Sequence, residues 1–324
     1  MIDIIICTYN NAELLKRSLA SLANQQFTAP RSWSVLVVDN NCTDHTADVV
    51  DEYIYAQTIP DLRRIVETKQ GLTFARMCGT NHTTSEWIAF VDDDCLLAKN
   101  WVEQAIEFAT SHPQCGAFGG KVILEWETPP DPIFIKYSRF FAAIDRGEVT
   151  QRLSRANYHI PGAGLILKRE ALEQSGWLEN QFLTDRIGKK LTSGGDSEIV
   201  LRILNAGYEL WYTPNCMLHH VITASRISEA YLVNMCIGFG LAAPYIAAMR
   251  WYRSVLVWLC ISILRIFKGV SQTIYSILIG SLKLKNEENN APVMWGWTKG
   301  QIISLYNILK NEKQNLPSWF LVFK

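Results

Sequence analysis

The chain has 324 residues, of which 48% are hydrophobic and 19% charged, a composition typical of a globular protein with a sizeable core. The formal net charge is zero, which argues against a nucleic-acid binder. The charge is divided, because residues 227–324 carry ten Lys/Arg and four Asp/Glu, so that residues 1–226 carry a net charge of −6.

The cysteines and the start of the chain bear on the compartment. The eight Cys stand singly, without a CxxC pair, which favours reduced thiols in the cytoplasm over disulfides or a zinc site. No basic segment precedes the apolar run at residues 2–7, and no small-residue cleavage site follows it. We therefore expect no secretory signal.

The first 110 residues alternate between apolar runs and helical spacing. The apolar runs predict buried strands at residues 2–7, 33–38 and 87–91. Helical spacing follows at residues 12–23, 43–54 and 101–110. This alternation predicts βαβ units and a parallel sheet, in which ligands bind beyond the carboxyl ends of the strands. Each of the three strands ends in a polar cluster, so one shared binding edge is expected.

The middle of the chain is less regular. Its patterns predict strands at residues 115–124, 165–167, 209–213 and 216–221. They predict helices at residues 169–175 and 197–205, the second of which begins after Asp196. Residues 185–195 are polar and contain glycine, which favours a mobile loop.

A basic, apolar tail begins at residue 227. Its apolar stretches cover residues 230–249, 255–264 and 270–282. The last two are separated by Arg265 and Lys268, so neither reaches the roughly 20 residues that a spanning helix needs. The flanking cations favour helices lying in a membrane interface, with peripheral contact through residues 230–285. A buried helical pair and a transmembrane hairpin remain alternatives.

Asp92, Asp93 and Asp94 follow the third strand directly. Three carboxylates on one loop repel each other unless they are solvated or a divalent cation neutralises them. Mg²⁺ and Mn²⁺ prefer such oxygen ligands, and a Mg²⁺ held by one or two carboxylates usually takes further ligands from phosphate and water. The cluster therefore indicates a metal-assisted nucleotide diphosphate site, and the alternative is an acidic turn that caps the next helix.

Seven segments in order resemble the motifs of family 2 glycosyltransferases. They lie at residues 7–10, 38–44, 69–76, 90–94, 161–164, 194–198 and 214–220. The resemblance covers about residues 1–226, and within the family it is greatest to bacterial enzymes of exopolysaccharide assembly, including the hormogonium polysaccharide type. It implies a GT-A fold, that is, a Rossmann-like α/β mixed sheet flanked by helices, here followed by the apolar helical tail. It also implies a nucleotide-sugar half at residues 1–100 and an acceptor half at residues 101–226.

The resemblance also assigns roles by position. The donor pocket would be lined by Thr8, Tyr9, Asn10, Asp39, Gly71, Arg76, Asp92 and Asp93. The Mn²⁺ or Mg²⁺ ligands would be Asp94, Asp92 and His220. The acceptor side would be formed by Gly162, Ala163, Gly164, Trp177 and Gly195. Asp196 would be the general base of an inverting transfer of a hexosyl unit, for which it must lie within hydrogen-bond reach of the acceptor hydroxyl.

Some of these assignments have alternatives. The family often has Glu-Asp where this chain has Gly195-Asp196, which leaves the contact of that Glu with the acceptor in doubt; Glu198 is a candidate substitute. Asp196 could instead cap its helix, and Trp177 could pack in the core rather than stack on a sugar. Adjacent strand residues point to opposite faces, so only one of His219 and His220 can face the site. His220 could equally make a structural hydrogen bond.

The expected function is transfer of a sugar, with a UDP-sugar as the favoured donor, to a saccharide or lipid-linked acceptor at the cytoplasmic face of the plasma membrane. One alternative is a nucleotidyltransferase that makes nucleotide sugars, but such enzymes usually have a glycine-rich, basic loop after the first strand. Residues 8–12 contain no Gly, Lys or Arg. The other alternative is a non-catalytic sugar-nucleotide-binding protein, against which the intact Asp94 and Asp196 count.

Overall fold

An eight-stranded mixed sheet and a separate three-stranded sheet form the strand framework of the computed structural model. The structure describes residues 1–188, 191–251, 255–281 and 290–310. Parts of the predicted loop at 185–195 (residues 189–190) and of the predicted tail (residues 252–254, 282–289 and 311–324) lie outside the described residues.

All eleven strands that the structure describes lie within the first 222 residues. They are β1 Ile2–Thr8, β2 Trp33–Asp39, β3 Leu62–Val66, β4 Trp87–Asp92, β5 Cys95–Leu97, β6 Cys115–Gly119, β7 Val122–Trp126, β8 Gln151–Leu153, β9 Leu165–Lys168, β10 Glu209–Tyr212 and β11 Leu218–Ile222. The helices are α1 Ala12–Ala23, α2 Thr46–Ala56, α3 Leu72–Asn81, α4 Trp101–Ser111, α5 Pro132–Lys136, α6 Arg169–Gln174, α7 Gly195–Asn205, α8 Glu229–Trp251, α9 Val255–Ser281 and α10 Ala291–Lys310. Short 3₁₀ turns cover Ser138–Phe141 and Ala224–Arg226.

The large sheet has the strand order β3-β2-β1-β4-β9-β6-β10-β8. Its first four strands are mutually parallel, which confirms the predicted parallel βαβ arrangement. The strand β9 runs antiparallel to both β4 and β6 and makes the sheet mixed. The small sheet has the order β5-β11-β7.

Continuous burial explains why the first strands form. Every residue of β2 is buried, and so are all but one of β1, as expected for parallel strands that are covered on both faces. On α1 the buried residues recur at helical spacing and belong to the same hydrophobic core as β1, β2 and β4. The apolar pattern therefore fixes which elements form and which faces they bury.

A buried carboxylate anchors the start of β1. Asp3 accepts hydrogen bonds from Ser34 Oγ (2.6 Å), Ser85 N (2.8 Å) and Thr84 N (3.1 Å). Burial alone would raise the pKa of Asp3, but these hydrogen bonds together outweigh it and lower the pKa below its usual value. The ionised carboxylate therefore stabilises the fold.

The predicted strand at residues 115–124 is wrong, because two strands occupy it. The first, β6, belongs to the large sheet and the second, β7, to the small one. At the break between them, a Cβ added to Gly120 would stand 1.8 Å from the carbonyl oxygen of Cys216. The chain turns from one sheet to the other at a point where another backbone passes too close for any side chain.

The described residues group into two compact units. The first contains Met1–Glu127, Phe141–Gln181 and Ile199–Ile222, and so carries both sheets. The second contains Thr128–Phe140, Phe182–Glu198 and the described residues from Thr223 onward. The predicted domain boundary at 226/227, and the division of the first domain after residue 100, remain predictions.

Long helices dominate the second unit. The helices α8 and α10 approach closely through small residues, since a Cβ on Gly240 would lie 2.3 Å from the carbonyl oxygen of Trp297, and one on Gly300 would lie 2.3 Å from that of Ile237. The indole N–H of Trp258 on α9 donates to the carbonyl oxygen of Pro244 on α8 (2.9 Å). These contacts pack α8, α9 and α10 together within this unit.

The prediction that Arg265 and Lys268 divide residues 255–282 into two short apolar stretches is wrong, because residues 255–281 form one continuous helix. Arg265 and Lys268 are exposed on α9 and do not break it. Among the described residues, two helices are long and apolar enough to cross a membrane by length and composition alone, at Glu229–Arg250 and Leu256–Leu278. The first is 56% buried within the protein and the second only 17%, so of these two helices α9 leaves more of its apolar surface uncovered among the described residues.

Candidate functional site

The three predicted strand ends meet at one edge of the large sheet. In the register of the parallel strands, Thr8 of β1 pairs with Asp39 of β2, and Cys7 pairs with Asp92 of β4. The polar residues after these strands therefore lie side by side, as the sequence predicted. This arrangement is the usual position of a ligand site in an open α/β sheet.

Arg76 on α3 links the end of β4 to the segment before β9. Its guanidinium is almost fully buried, lies 3.5 Å from Asp92 Oδ1 and stands over the Phe90 ring at 5.2 Å from the centroid. A Cβ added to Gly162 would stand 2.4 Å from Arg76 Nη2. Gly162 is therefore required to leave room for Arg76, so a predicted acceptor-side glycine shapes the predicted donor side.

Asp94 faces His220 of β11. The His220 Nε2 atom lies 3.1 Å from Asp94 Oδ1, and both residues are buried. The other ring nitrogen, Nδ1, lies 2.7 Å from the carbonyl oxygen of Phe141, which can only accept a hydrogen bond. His219 is partly exposed and lies near Glu125 instead, so adjacent histidines face opposite ways, as predicted.

The geometry of this pair fits a cation. Because Nδ1 faces a carbonyl oxygen, it carries a proton, and Nε2 then directs a lone pair toward the Asp94 carboxylate unless it is also protonated. A divalent cation bound by both atoms would remove this conflict. Among the residues that the structure describes, no cluster of three or more His, Cys, Asp or Glu side chains is arranged to hold a metal ion. Asp94 and His220 would supply two ligands, and phosphate oxygens and water would complete the coordination shell, as they usually do for Mg²⁺ in proteins.

Asp93 differs from its two neighbours. Its carboxylate accepts a hydrogen bond from Asn11 Nδ2 at 2.8 Å. Withdrawal from water and the nearby charge of Asp94 raise the pKa of Asp93 to about 7, although the hydrogen bond from Asn11 opposes this shift. Asp93 therefore connects the loop after β4 to the start of α1.

Asn40, which sequence reasoning missed, shapes the loop before α3. Its side-chain amide donates to the carbonyl oxygens of Glu67 (2.9 Å) and Lys69 (2.8 Å), and its oxygen accepts from Gly71 N (2.8 Å). Gly71 has φ 138°, which favours glycine. The buried Asn directly after Asp39, at a strand end, was the available signal, because a buried amide needs several partners.

Asp39 and Asn10 are already engaged in contacts within the protein. The Asp39 carboxylate accepts from Cys42 N (2.8 Å) and pairs with Arg64 (3.2 Å). The Asn10 side-chain oxygen accepts from Thr43 N at 2.7 Å, and so ties the loop after β1 to the loop after β2. Tyr9 is exposed at this edge. The predicted base and ribose contacts of these residues remain predictions.

On the predicted acceptor side, the segment at residues 161–164 leads into β9. Gly164 has φ 77°, donates to the carbonyl oxygen of Phe90 (3.0 Å) and leaves no space for a Cβ beside Leu218. Ala163 is buried in the core. Trp177 is completely buried, so its predicted stacking on a sugar is wrong and the core-packing alternative holds.

Asp196 lies in the first turn of α7, in the second unit. The helix begins at Gly195, and the carbonyl oxygen of Gly194 accepts from Glu198 N (2.9 Å), so Asp196 is not the N-cap. Asp196 Oδ1 accepts from Ser197 N (2.7 Å). Glu198 is fully buried and accepts from the N–H groups of Phe182 and Leu183, which excludes it as a substitute for a side chain at position 195.

Comparison with known proteins identifies the family. The sequence pattern of Glycosyl transferase family 2 matches residues 3–176. The chain is 26% identical over 212 residues to Glycosyltransferase AglE of Haloferax volcanii, covering 65% of this chain but less than two thirds (64%) of that relative. It is 24% identical over 236 residues to Succinoglycan biosynthesis protein ExoM of Rhizobium meliloti, covering 72% and 71%.

A solved structure of similar fold is the mannosyltransferase PcManGT from Pyrobaculum calidifontis in complex with GDP-Man and Mn²⁺. The TM-score is 0.62 at 17% identity, and the match covers 94% of this chain and 87% of that one. This likeness confirms the predicted GT-A fold, with its mixed sheet flanked by helices.

Proposed function

The chain belongs to glycosyl transferase family 2, and from this premise we propose an inverting transfer of a sugar from a nucleotide-diphosphate donor to a saccharide or lipid-linked acceptor. The protein is a glycosyltransferase, and its relatives include a succinoglycan biosynthesis protein. The observation that carries the finer proposal is the meeting of Arg76, Asp92, Asp94 and His220 with the strand ends of β1 and β2 at one sheet edge. The Arg76 guanidinium and the Asp94–His220 pair, which could hold a metal ion, together suit a donor diphosphate.

The donor end of the proposed site divides its work among these groups. Asp39 and Thr8 are the proposed partners of the base, and UDP is the favoured nucleotide. Arg76, held by Asp92, offers a buried positive charge to the diphosphate. Asp94 and His220 would hold Mn²⁺ or Mg²⁺, with Asp92 nearby, and the ion would stabilise the charge of the leaving diphosphate.

Asp196 is the proposed general base. It would accept the proton of the acceptor hydroxyl as that oxygen forms its bond to the anomeric carbon and the bond to the diphosphate breaks on the opposite face. It lies in the first turn of α7, where its Oδ1 accepts from Ser197 N at 2.7 Å.

Membrane contact through residues 230–285 is part of the proposal. The helix α9 exposes large apolar side chains, including Leu256 (74% exposed) and Phe267 (65% exposed), and carries exposed Arg265 and Lys268. An apolar surface beside cations suits the interface of an anionic leaflet. This supports a cytoplasmic location at the inner face of the plasma membrane and is consistent with a lipid-linked acceptor.

The nucleotidyltransferase alternative is weakened by the loop after β1. The backbone N–H of Asn10 points to Cys42 Sγ (3.3 Å), and that of Ala12 donates to Asp44 (3.0 Å). These N–H groups are therefore used inside the protein instead of facing a triphosphate.

The deciding experiment is a donor panel. Full-length protein is incubated with UDP-, GDP- and dTDP-sugars in Mn²⁺ or in EDTA, and nucleotide diphosphate release is measured. We expect metal-dependent release from one donor class, reduced at least 100-fold in Asp196→Asn while nucleotide binding is kept. Release of pyrophosphate from a sugar 1-phosphate and a nucleoside triphosphate would favour the nucleotidyltransferase. Nucleotide binding without hydrolysis would favour the non-catalytic sugar-nucleotide-binding protein, and absence of both would overturn the transferase proposal.

A further inference from the structure

An apolar groove lies between α9 and α10 in the second unit. Its cavity volume is about 500 Å³, within the roughly 300–1,000 Å³ that is usual for small-molecule sites in proteins. The described residues that line it include Val270, Ile274 and Ile277 of α9 and Pro292 and Trp295 of α10. The residues from each helix are three, four or seven positions apart and therefore share one face. Both walls of the groove thus offer hydrocarbon surface.

The surface of the groove is predominantly apolar. Thr273 also lines it, but its hydroxyl donates to the carbonyl oxygen of Gly269 (2.9 Å) and is engaged within α9. Beyond the groove, Ile302 and Tyr306 follow Trp295 along the same face of α10 and are exposed. A hydrocarbon chain longer than the groove therefore has apolar surface on which to continue.

Lys299 provides a positive charge beside the groove. It follows Trp295 by four residues, so it lies on the same face of α10, and it is exposed. Among the residues that the structure describes, it forms no ion pair with a carboxylate. Lysine is a frequent partner of phosphate groups. An apolar groove beside this cation suits an amphiphile with an anionic headgroup.

The segment that carries the proposed general base packs on the same helices. Residues 182–198, which include Asp196, belong to the same compact unit as α8, α9 and α10. Phe182, at the start of the segment, packs against a buried cluster that contains Trp258 of α9 and Leu305 of α10. One end of the segment is therefore held by the two helices that form the groove.

The other end of the segment is held by α8. A Cβ added to Gly238 of α8 would stand 1.8 Å from the carbonyl oxygen of Leu191, and one added to Gly194 would stand 2.7 Å from the Cβ of Ala242. These close approaches mean that the residues just before Asp196 rest directly on α8. The proposed base and the groove are thus parts of one packed unit.

We propose that the α9–α10 groove binds the hydrocarbon chain of a lipid-linked acceptor and that Lys299 contacts its phosphate. A bilayer surface requires only the exposed apolar side chains of α9, whereas a concave groove with a cation beside it fits one chain with one anionic headgroup. Because the groove and Asp196 belong to the same unit, the bound lipid ties the sugar that is to be extended to the unit of the base. The assignment rests on the proposed function and narrows its acceptor to a sugar carried on a lipid phosphate.

The test separates the chain, the headgroup and the bilayer. Full-length protein is titrated by calorimetry with decyl phosphate, and with decyl glucoside, inorganic phosphate and dihexanoyl phosphatidylglycerol as controls, all below micelle-forming concentrations. Val270→Trp and Ile274→Trp fill the groove, Leu264→Trp places the same ring at an exposed site of α9 that does not line the groove, and Lys299→Gln removes the charge. Folding is checked by circular dichroism, and membrane binding by sedimentation with anionic vesicles.

We expect wild-type protein to bind decyl phosphate at least about tenfold more tightly than any of the three controls. Val270→Trp and Ile274→Trp should each weaken decyl phosphate binding roughly tenfold or more, whereas Leu264→Trp should stay within about twofold of wild type. Lys299→Gln should reduce decyl phosphate binding to the level of decyl glucoside binding. Sedimentation of Ile274→Trp with vesicles should match that of wild type, because its outer surface stays apolar.

Several outcomes contradict the proposal. Equal losses in Ile274→Trp and Leu264→Trp, or a parallel loss of vesicle sedimentation, would show that the helices only meet the bilayer surface. Phosphatidylglycerol binding as tight as that of decyl phosphate would assign the groove to a bilayer lipid. A wild-type dimer that Ile274→Trp converts to a monomer would show that a second copy covers the groove. If the groove-filling variants do not fold, an unchanged affinity of Lys299→Gln for decyl phosphate is sufficient to reject the site.

Failure of this site and failure of the proposed function give different results. Donor hydrolysis by a protein that does not bind decyl phosphate removes only the groove assignment. Decyl phosphate binding by a protein that hydrolyses no donor removes the transferase proposal instead.

Discussion

Gly162→Ala tests how closely the donor and acceptor segments are coupled. The added Cβ would stand 2.4 Å from Arg76 Nη2 and 3.3 Å from Cζ. Ordinary contact between heavy atoms begins near 3.5 Å, so the guanidinium has to move by about 1 Å. The tip of the side chain can give way more easily than the backbone, and the fold should persist with Arg76 displaced from Asp92.

The separation of the ion pair sets the expected magnitude. At an effective dielectric constant of about 20, the attraction between unit charges falls from about 4.7 kcal/mol at the observed 3.5 Å to about 3.7 kcal/mol at about 4.5 Å. The difference of about 1 kcal/mol corresponds to a roughly fivefold change in a binding constant. Because the Asp92 side chain is 34% exposed, water screens part of the interaction, and a loss of about threefold to fivefold is expected.

A double-mutant cycle measures this coupling. Affinity for UDP in Mn²⁺ is determined by calorimetry, and the free energy of unfolding by urea titration, for wild type, Gly162→Ala, Arg76→Ala and the double variant. Gly162→Ala should weaken UDP binding threefold to fivefold in the wild-type background and have almost no effect once Arg76 is removed. Equal effects in both backgrounds, or none in wild type, would refute the reasoning.

Three further predictions concern the metal, the core and the tail. Asp94→Asn should weaken UDP binding about 100-fold in Mn²⁺ but leave binding in EDTA unchanged, as measured by calorimetry. Asp3→Asn should lower the free energy of unfolding by about 1–3 kcal/mol at pH 7. Because folding lowers the pKa of Asp3, the stabilisation exists above about pH 4 and is lost as the pH falls through the folded pKa. Urea titrations should therefore show the free energies of unfolding of the two proteins converging in acid. Leu264→Ser/Phe267→Ser should weaken sedimentation with anionic vesicles about tenfold, whereas Tyr55→Ser, at a 92% exposed site on α2, should not.

Elements fixed by long apolar runs were predictable from the sequence. The strands β1, β2 and β4 are continuous buried runs, and the polar residues after them had to meet once the strands were parallel. The strand β5, with three residues, and β3, with only one buried residue, carry too little pattern to be predicted. Both depend on the neighbouring strands with which they pair.

Contacts between distant side chains were not predictable, because they depend on tertiary packing. The sequence around Gly162 does not predict its contact with Arg76, and the sequence around Gly195 does not predict its contact with Asp185. The sequence neighbours of Trp177 are compatible with a surface or a core position, and only the packed fold shows that its side chain is buried in the core. In α9, charged residues looked like breaks because composition alone does not tell which face of a helix is exposed.

The three aspartates after Val91 can coexist because each turns to a different partner. Asp92 lies beside the Arg76 guanidinium, Asp93 accepts from Asn11, and Asp94 faces His220. Withdrawal from water raises the pKa of Asp93, and the nearby charge of Asp94 adds to this shift, since the hydrogen bond from Asn11 brings no positive charge. In the proposed site, Asp92 holds Arg76, Asp94 and His220 would hold the metal ion, and Asp93 ties the loop after β4 to Asn11.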